Sequence, residues 1–375
     1  MRCAPAQPEL AATQAPIPFR MLDAEDPQDA AAWLALWCRF PDREVFAHPE
    51  YVRLYAGPSA RALCAAYRSE SLLVLYPFLL RDLSAEPYWS PSMGRACDIA
   101  TPYGYGGPFA SGDRHSPEGL QFWEEFDAWC AQNNIVSEFI RFSLFPEQTL
   151  PYPGQTWQVA EHLVRSLHRS EATLWMDVAH KVRKNVNRAR QNGVSIEMHR
   201  DDSDNSLLDR FLDIYRETMQ RREAAQSYCF PRKMFADITT NLPENAVYFF
   251  AVRDGESLAV ELVLVSANSV YSFLGGTRED AFAWRPNDLL KFEIIRWARD
   301  KGKTNFVLGG GYRPGDGIFQ YKLGFAPHGR VDYFQGGRIH DSSRYRMLVE
   351  ARRKLETARG TVWQPAEAFF PKYRG

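Results

Sequence analysis

The run NFVLGGGYRPGDGIFQYKLGF at 305–325 joins a short apolar strand to a glycine-rich turn and then to a short helix carrying Tyr321 and Lys322. Bare backbone at a strand end lets a ligand approach closely. Gly310, Gly311 and Tyr312 are therefore candidates to bind substrate, with the turn offering backbone amides and Lys322 a charge. The same glycines can instead be a purely structural turn, and the residues alone leave both readings open. Pro314 stands where a dinucleotide fingerprint wants glycine, and Lys322 lies too far along for a GxxxxGK phosphate loop.

A second feature is the run KVRKNVNRARQNGV at 181–194, which places five cations and no acid between 181 and 190. Asp177 is positioned to cap a helix that stops at Asn192 and Gly193. On it Val178, Val182, Val186 and Ala189 form an apolar stripe, flanked by Lys181, Lys184 and Arg188 on one side and by Arg183 and Arg190 on the other. Such a face is either solvated or a site for a diphosphate or an RNA backbone, where Arg gives bidentate contacts and Lys a point charge. Many transfer reactions also need a base. Glu261, alone in the apolar run LAVELVL at 258–264, sits either on the solvated face of an edge strand or in a cleft with a raised pKa. Tyr103 and Tyr105, in TPYGYGGP at 101–108, either stack on a sugar or base or act as rigid packing. His180 and His328 lie near these segments. No Ser-His-Asp or metal-ligand spacing is present, so no metal is expected, and the six scattered cysteines read as reduced.

The elements that must hold these groups repeat. Apolar runs at 62–67 and 72–80, joined by Ser69, Glu70 and Ser71, predict a hairpin; a loop, a helix over 117–132 and a strand over 135–142 follow. The same order recurs at 247–252 and 258–265, joined by Asp254-Gly255, with a third strand at 270–274, a helix begun by Asn287 or Asp288 and running to 301, and a closing strand at 305–308. The 375 residues suggest two domains, and two tandem copies of one α/β unit is the economical reading. Pro151 and Gly154 break the pattern before a junction near 152–169. The Ala- and Pro-rich lead over 1–18 is expected to be disordered and has no apolar core long enough for export. No stretch approaches the ~18 apolar residues of a membrane span. With a net charge of −1, no global field recruits DNA or a membrane, and a cytoplasmic enzyme or binding protein is expected.

The basic run at 181–194 resembles the R-x-N-(I/V)-x-(K/R)-A helix of the Fem-type aminoacyltransferases and their acetyltransferase-superfamily relatives. PNDLLKFEIIRWA at 286–298, followed by the three glycines at 309–311 and IFQYKLGF at 318–325, is similar to their second signature. The resemblance covers roughly 160–333; the first half matches only through its hairpin order and the 101–108 loop. It implies two tandem acetyltransferase-type (GNAT-like) domains, each a mixed, largely antiparallel sheet flanked by helices. These would be a degenerate, substrate-binding unit over 19–160 and a catalytic unit over 161–340, with a C-terminal helix and tail over 341–375. It implies transfer of an acyl or aminoacyl group onto an amine or hydroxyl of a nucleotide- or lipid-linked peptide or sugar precursor of the cell envelope. The donor would be an aminoacyl-tRNA or an acyl-CoA, and a lipid-linked acceptor would bring the chain to the inner face of the membrane. Carried over, Lys322 stabilises the oxyanion with Tyr321 beside it, while Arg183, Lys184 and Arg188 hold phosphates; Glu261 remains the candidate base. Two departures stand out: no long helical hairpin is inserted after the second unit, and no Gln/Arg-x-x-Gly-x-Gly/Ala pyrophosphate loop is present. A CoA-dependent N-acyltransferase of a small amine or amino sugar, and a non-catalytic binder of phosphorylated glycan or RNA, are the alternatives.

Overall fold

Strong β propensity in the paired apolar runs and amphipathic periodicity between them produce one large sheet with helices on both faces. The computed structural model describes residues 17–201, 206–365 and 369–375. Of the lead expected over 1–18, residues 1–16 lie outside the described residues, and 17–18 already belong to the first strand.

The chain runs β1 (Ile17–Asp23), α1 (Pro27–Trp37), α2 (Pro49–Arg53), β2 (Ala60–Arg68), β3 (Leu72–Asp82), β4 (Cys97–Ala100), β5 (Phe109–Gly112), α3 (Pro117–Gln132) and β6 (Ile135–Arg141). A connecting region holds β7 (Gln155–Ser166), α4 (Glu171–Asp177) and α5 (His180–Gln191). The second half runs β8 (Ser195–His199), α6 (Leu207–Arg221), α7 (Arg232–Asn241), β9 (Ala246–Arg253), β10 (Glu256–Val265), β11 (Ser269–Thr277), α8 (Pro286–Asp300), β12 (Asn305–Gly309) and α9 (Gly317–Leu323). β13 (Arg330–Ile339) and α10 (Ser342–Ala358) follow.

Both halves use the order β-α-α-β-β-β-α-β, the first adding β5, which pairs with β3. In each half the last two strands, β4 with β6 and β11 with β12, are parallel, while the others are antiparallel. The β9–β10 hairpin turns on Asp254 (φ 51°) and Gly255 (φ 82°), the two positive angles that its strand twist favours. The apolar phase of β9 splits cleanly: Val247, Phe249 and Ala251 face α5 and α8, and Tyr248, Phe250 and Val252 face α6 and α7.

The centre of the sheet is an exchange. The strand order is β1-β2-β3-β4-β6-β13-β7-β12-β11-β10-β9-β8. β7 follows the first half in sequence but pairs with β12 of the second, and β13 follows the second half but pairs with β6 of the first. The two exchanged strands pair antiparallel with each other. The boundary expected at 160/161 therefore lies inside a central strand. Further contacts join the halves: Val45 and Phe46 pack in the same core as Tyr271 and Leu274, and Val45 N donates to Ser266 Oγ at 2.8 Å.

Two local expectations are corrected. Asp177 ends α4 instead of capping the basic helix, because its carboxylate pairs with the buried Arg165; Ala179 occupies the N-cap of α5. Cys64, Cys97 and Cys130 are buried thiols and Cys229 an exposed one, but Cys38 is disulfide-bonded, against the expectation of six reduced cysteines. Among the described residues no helix is long and apolar enough to cross a membrane.

Candidate active site

The parallel pair β11 and β12 is joined only from Ser269 to Tyr271 and from Asn305 to Val307. Beyond that point β11 continues along β10 to Thr277 while β12 ends at Gly309. The two strands therefore splay, and the backbone amides and carbonyls of the opened edge become available to a ligand. Gly309 turns the chain away with φ 75°, a region open to glycine at little cost. A Cβ on Gly310 would lie 2.8 Å from His162 Cδ2, so the imidazole from β7 lies directly against bare backbone.

Lys322 reaches this opening from α9. Its Nζ donates to Gly310 O at 2.7 Å, and a Cβ built on Gly309 would lie 3.6 Å from both Lys322 Nζ and Tyr105 Oη. Burial, and then the Lys291 charge, lower its pKa to about 8, with Glu261 and Asp316 opposing. The ammonium is thus a desolvated charge beside an open strand edge, as oxyanion stabilisation requires.

His162 completes the centre. Its Nδ1 is 2.7 Å from Tyr105 Oη, and its ring stacks on Tyr333 at 4.2 Å between centroids. Burial, and then the charge of Lys322, lower its pKa to about 4, so the imidazole is neutral at physiological pH. Burial raises the Tyr105 pKa and keeps that phenol protonated; as donor to Nδ1 it leaves the imidazole proton on Nε2, the nitrogen nearest Gly310.

On the other side of the opening, Lys291 from α8 places Nζ 2.5 Å from both Glu261 carboxylate oxygens and 2.6 Å from Ser272 Oγ. Both side chains are buried, at 7% and 3% exposure. This corrects the edge-strand reading of Glu261. β10 lies between β9 and β11, so the residue is on no edge, and its carboxylate is engaged by a buried ammonium and is not a free base. Tyr321 lies beside this pair with its ring edge-on to Phe325 and its hydroxyl buried without a hydrogen-bond partner. Burial, then the nearby Asp288 and Glu261, raise its pKa and keep it a donor.

Other expected binding residues separate. The turn amides of Tyr312 and Arg313 are not open to an oxyanion: Asp316 accepts from Tyr312 N at 2.8 Å, Arg313 N at 3.0 Å and Phe319 N at 2.8 Å, capping α9. A Cβ on Gly311 would meet Asp316 Oδ1 at 2.3 Å, so Gly311 is required by this cap, and Tyr312 projects outward at 66% exposure. Tyr105 is core packing with one polar contact. Tyr103 packs against Tyr228, Phe230 and Phe273, an aromatic wall that includes β11 just past the splay. On α5, Arg183 does not face a ligand: its Nη1 donates to the carbonyls of Met176 at 2.7 Å and Val178 at 2.5 Å, closing the end of α4. Arg190 pairs with Glu293 at 2.8 Å. Lys181, Lys184 and Arg188 are exposed. His180 joins none of this, and the exposed His328 reaches Asp177 at 3.5 Å.

Residues 177–323 match the acetyltransferase (GNAT) domain family. No curated protein sequence matches the chain. Among solved structures, FemX aligns over 85% of this chain and 98% of its own at 12% identity, with a TM-score of 0.63. L-PGS from Bacillus licheniformis aligns over 88% and 97% at 11% identity, with a TM-score of 0.52. The C-terminal domain of a protein described as a lysylphosphatidylglycerol synthetase, from Agrobacterium fabrum, aligns over 88% and 95% at 14% identity, with a TM-score of 0.50. The chain therefore has the fold of FemX, with two similarly ordered α/β halves in one sheet, and the acetyltransferase (GNAT) family match falls largely within its second half.

Proposed function

We propose that this protein is an aminoacyl- or acyltransferase that acylates an amine or hydroxyl of a lipid- or nucleotide-linked cell-envelope precursor. The observation that carries this reading is the desolvated Lys322 ammonium at the open end of the β11–β12 splay. A donor carbonyl laid along that edge presents its oxygen to Lys322, which retains two further N–H donors beside its bond to Gly310 O. As the acceptor attacks, the carbonyl oxygen gains charge and the ammonium stabilises it; the neutral His162 Nε2–H and the unpaired Tyr321 hydroxyl are the other donors at this end. The name of the Agrobacterium fabrum neighbour, a lysylphosphatidylglycerol synthetase domain, supports an aminoacylated lipid product.

The start of α8 favours an aminoacyl-tRNA donor over acyl-CoA. A helix N-terminus that cradles a pyrophosphate needs free amides and positive potential. Here Asp288 stands in the first turn, buried and bonded to Asn185 Nδ2 at 3.0 Å, and Glu279 and Asp280 lie in the turn before the helix. The exposed Lys181, Lys184 and Arg188 on α5 offer the positive surface for a phosphodiester or a lipid-linked phosphate.

The test offers the purified chain aminoacyl-tRNA or acetyl-CoA with nucleotide- and lipid-linked envelope precursors and follows label into the acceptor. Label from aminoacyl-tRNA, lost in Lys322→Met, is the expected result. CoA release from acetyl-CoA alone overturns the donor assignment, and absence of turnover with both donors overturns the transferase reading in favour of a binding protein.

A further inference from the structure

Beneath α3, away from the splayed strands, the first half buries a set of ligating side chains that the proposed transfer does not use. Cys130 comes from the last turn of α3, Glu138 from β6, and His340 directly follows β13; one ligand atom from each lies within 4.8 Å of the others. Cys130 and Glu138 are fully buried, and the His340 side chain is 8% exposed. His340 Nε2 is 2.8 Å from Glu138 Oε2, whereas Glu138 Oε1 has no hydrogen-bond partner. The phenol of Tyr152 approaches that carboxylate, yet neither its oxygen nor that of Tyr76 completes a hydrogen bond. Native interiors rarely leave so many polar atoms unsatisfied in one place.

We propose that Cys130, Glu138 and His340 bind one divalent transition-metal ion of the zinc type. A thiolate, an imidazole and a carboxylate form a donor set of the kind zinc takes. His340 Nδ1 faces Asp127 Oδ1 at 4.0 Å, and Arg338 Nη2 holds the other Asp127 oxygen at 2.5 Å. That carboxylate stands behind the ring but beyond hydrogen-bond reach, and its closing on Nδ1 would orient a metal-bound histidine and leave Nε2 as the ligating nitrogen. Coordination by both groups replaces the present Nε2 to Oε2 contact, and the Cys130 proton leaves to solvent as the thiolate binds. A water completes the tetrahedron, with the Tyr76 and Tyr152 hydroxyls as its partners. The position gives the ion its role. α3 and β6 belong to the first half, while His340 is delivered by the strand exchanged from the second, so the metal pins the exchange in place at a distance from the transfer chemistry.

The full chain, equilibrated with zinc and then dialysed, is assayed by elemental mass spectrometry and by thermal unfolding. Cobalt in place of zinc reports a thiolate ligand through its charge-transfer absorption. We expect about one metal per chain, a Tm raised by several degrees, and a cobalt band that Cys130→Ala abolishes but Cys229→Ser, at the exposed thiol, leaves intact. A wild-type chain that retains less than about a tenth of an equivalent and shows no Tm shift overturns the site, and this measurement stands even where Cys130→Ala does not fold. A cobalt band that survives Cys130→Ala, or disappears in Cys229→Ser, overturns it equally.

Discussion

Replacing Lys322 by Met separates a functional ammonium from a structural one, because the two roles move stability in opposite directions. The folded chain lowers this pKa from the ordinary 10.5 to about 8. At about 1.4 kcal/mol per unit, holding the charge costs the folded state about 3 kcal/mol at pH 7. Methionine keeps the packing of the stem and removes that cost, but leaves Gly310 O without its donor, a loss of about 1–2 kcal/mol. The variant should therefore be more stable than the wild type by about 1 kcal/mol at pH 7. Between about pH 8 and 10.5 the unfolded chain binds a proton that the folded chain does not, so wild-type stability rises with pH across that window. Near pH 10.5 the sign reverses, and the variant should be the less stable by about 1 kcal/mol. Urea denaturation followed by circular dichroism at pH 7 and pH 10.5 measures both values. In the same variant kcat should fall by about 10²–10³, and wild-type kcat/KM should decline above about pH 8 as the ammonium loses its proton. A variant that is less stable at pH 7 by a pH-independent amount, with turnover within about threefold of wild type, refutes the catalytic reasoning and leaves Lys322 as a backbone tether.

Glu261→Gln should destabilise the chain by about 3–5 kcal/mol, because it leaves the Lys291 ammonium buried and unpaired, and Glu261→Gln with Lys291→Met should recover most of the loss; a single variant costing under about 1 kcal/mol in urea would count against a desolvated pair. Arg183→Gln should lower stability by about 1 kcal/mol by uncapping α4, with KM for the phosphorylated substrate unchanged. Lys184→Glu with Arg188→Glu should leave stability within about 0.5 kcal/mol and raise that KM severalfold, more steeply at low salt. Equal KM effects from the Arg183 and Arg188 changes would place both on the ligand face.

What the sequence made legible is local. The Asp254-Gly255 hairpin, the helix over 117–132 and the glycine turn before α9 are set by turn chemistry and periodicity within a few residues. Glu261 was legible in part: it is a single charge inside an otherwise apolar run, and a strand buried on both faces reads as such a run. A carboxylate buried there requires a cation, but Lys291 sits among Asp288, Glu293 and Arg296 on α8, so its pairing with Glu261 is not encoded locally. Arg183 shows the opposite case. Its membership in a cationic run suggested a ligand, but a guanidinium one turn from the end of another helix finds carbonyls first. His162 escaped notice because its strand follows Pro151 and Gly154, where the broken pattern reads as a junction and not as the middle of a sheet.

That omission has one structural cause, the strand exchange. Among the described residues β7 pairs only with β12 and β13, each more than a hundred residues later, so no local pattern encodes its place. The exchange also builds the site. Gly309 and Gly310 come from the end of β12, Lys322 from α9, and His162 from β7, which is aligned across Gly309 by its pairing at Leu163; Tyr105, which sets the imidazole, comes from the first half. A second half folded without β7 would keep the Glu261 and Lys291 pair but lose the imidazole, and the opened strand edge would have no wall on that side. The shared order of the two halves, a parallel pair closing each, thus yields one complete candidate centre because the strand after the first half closes the second.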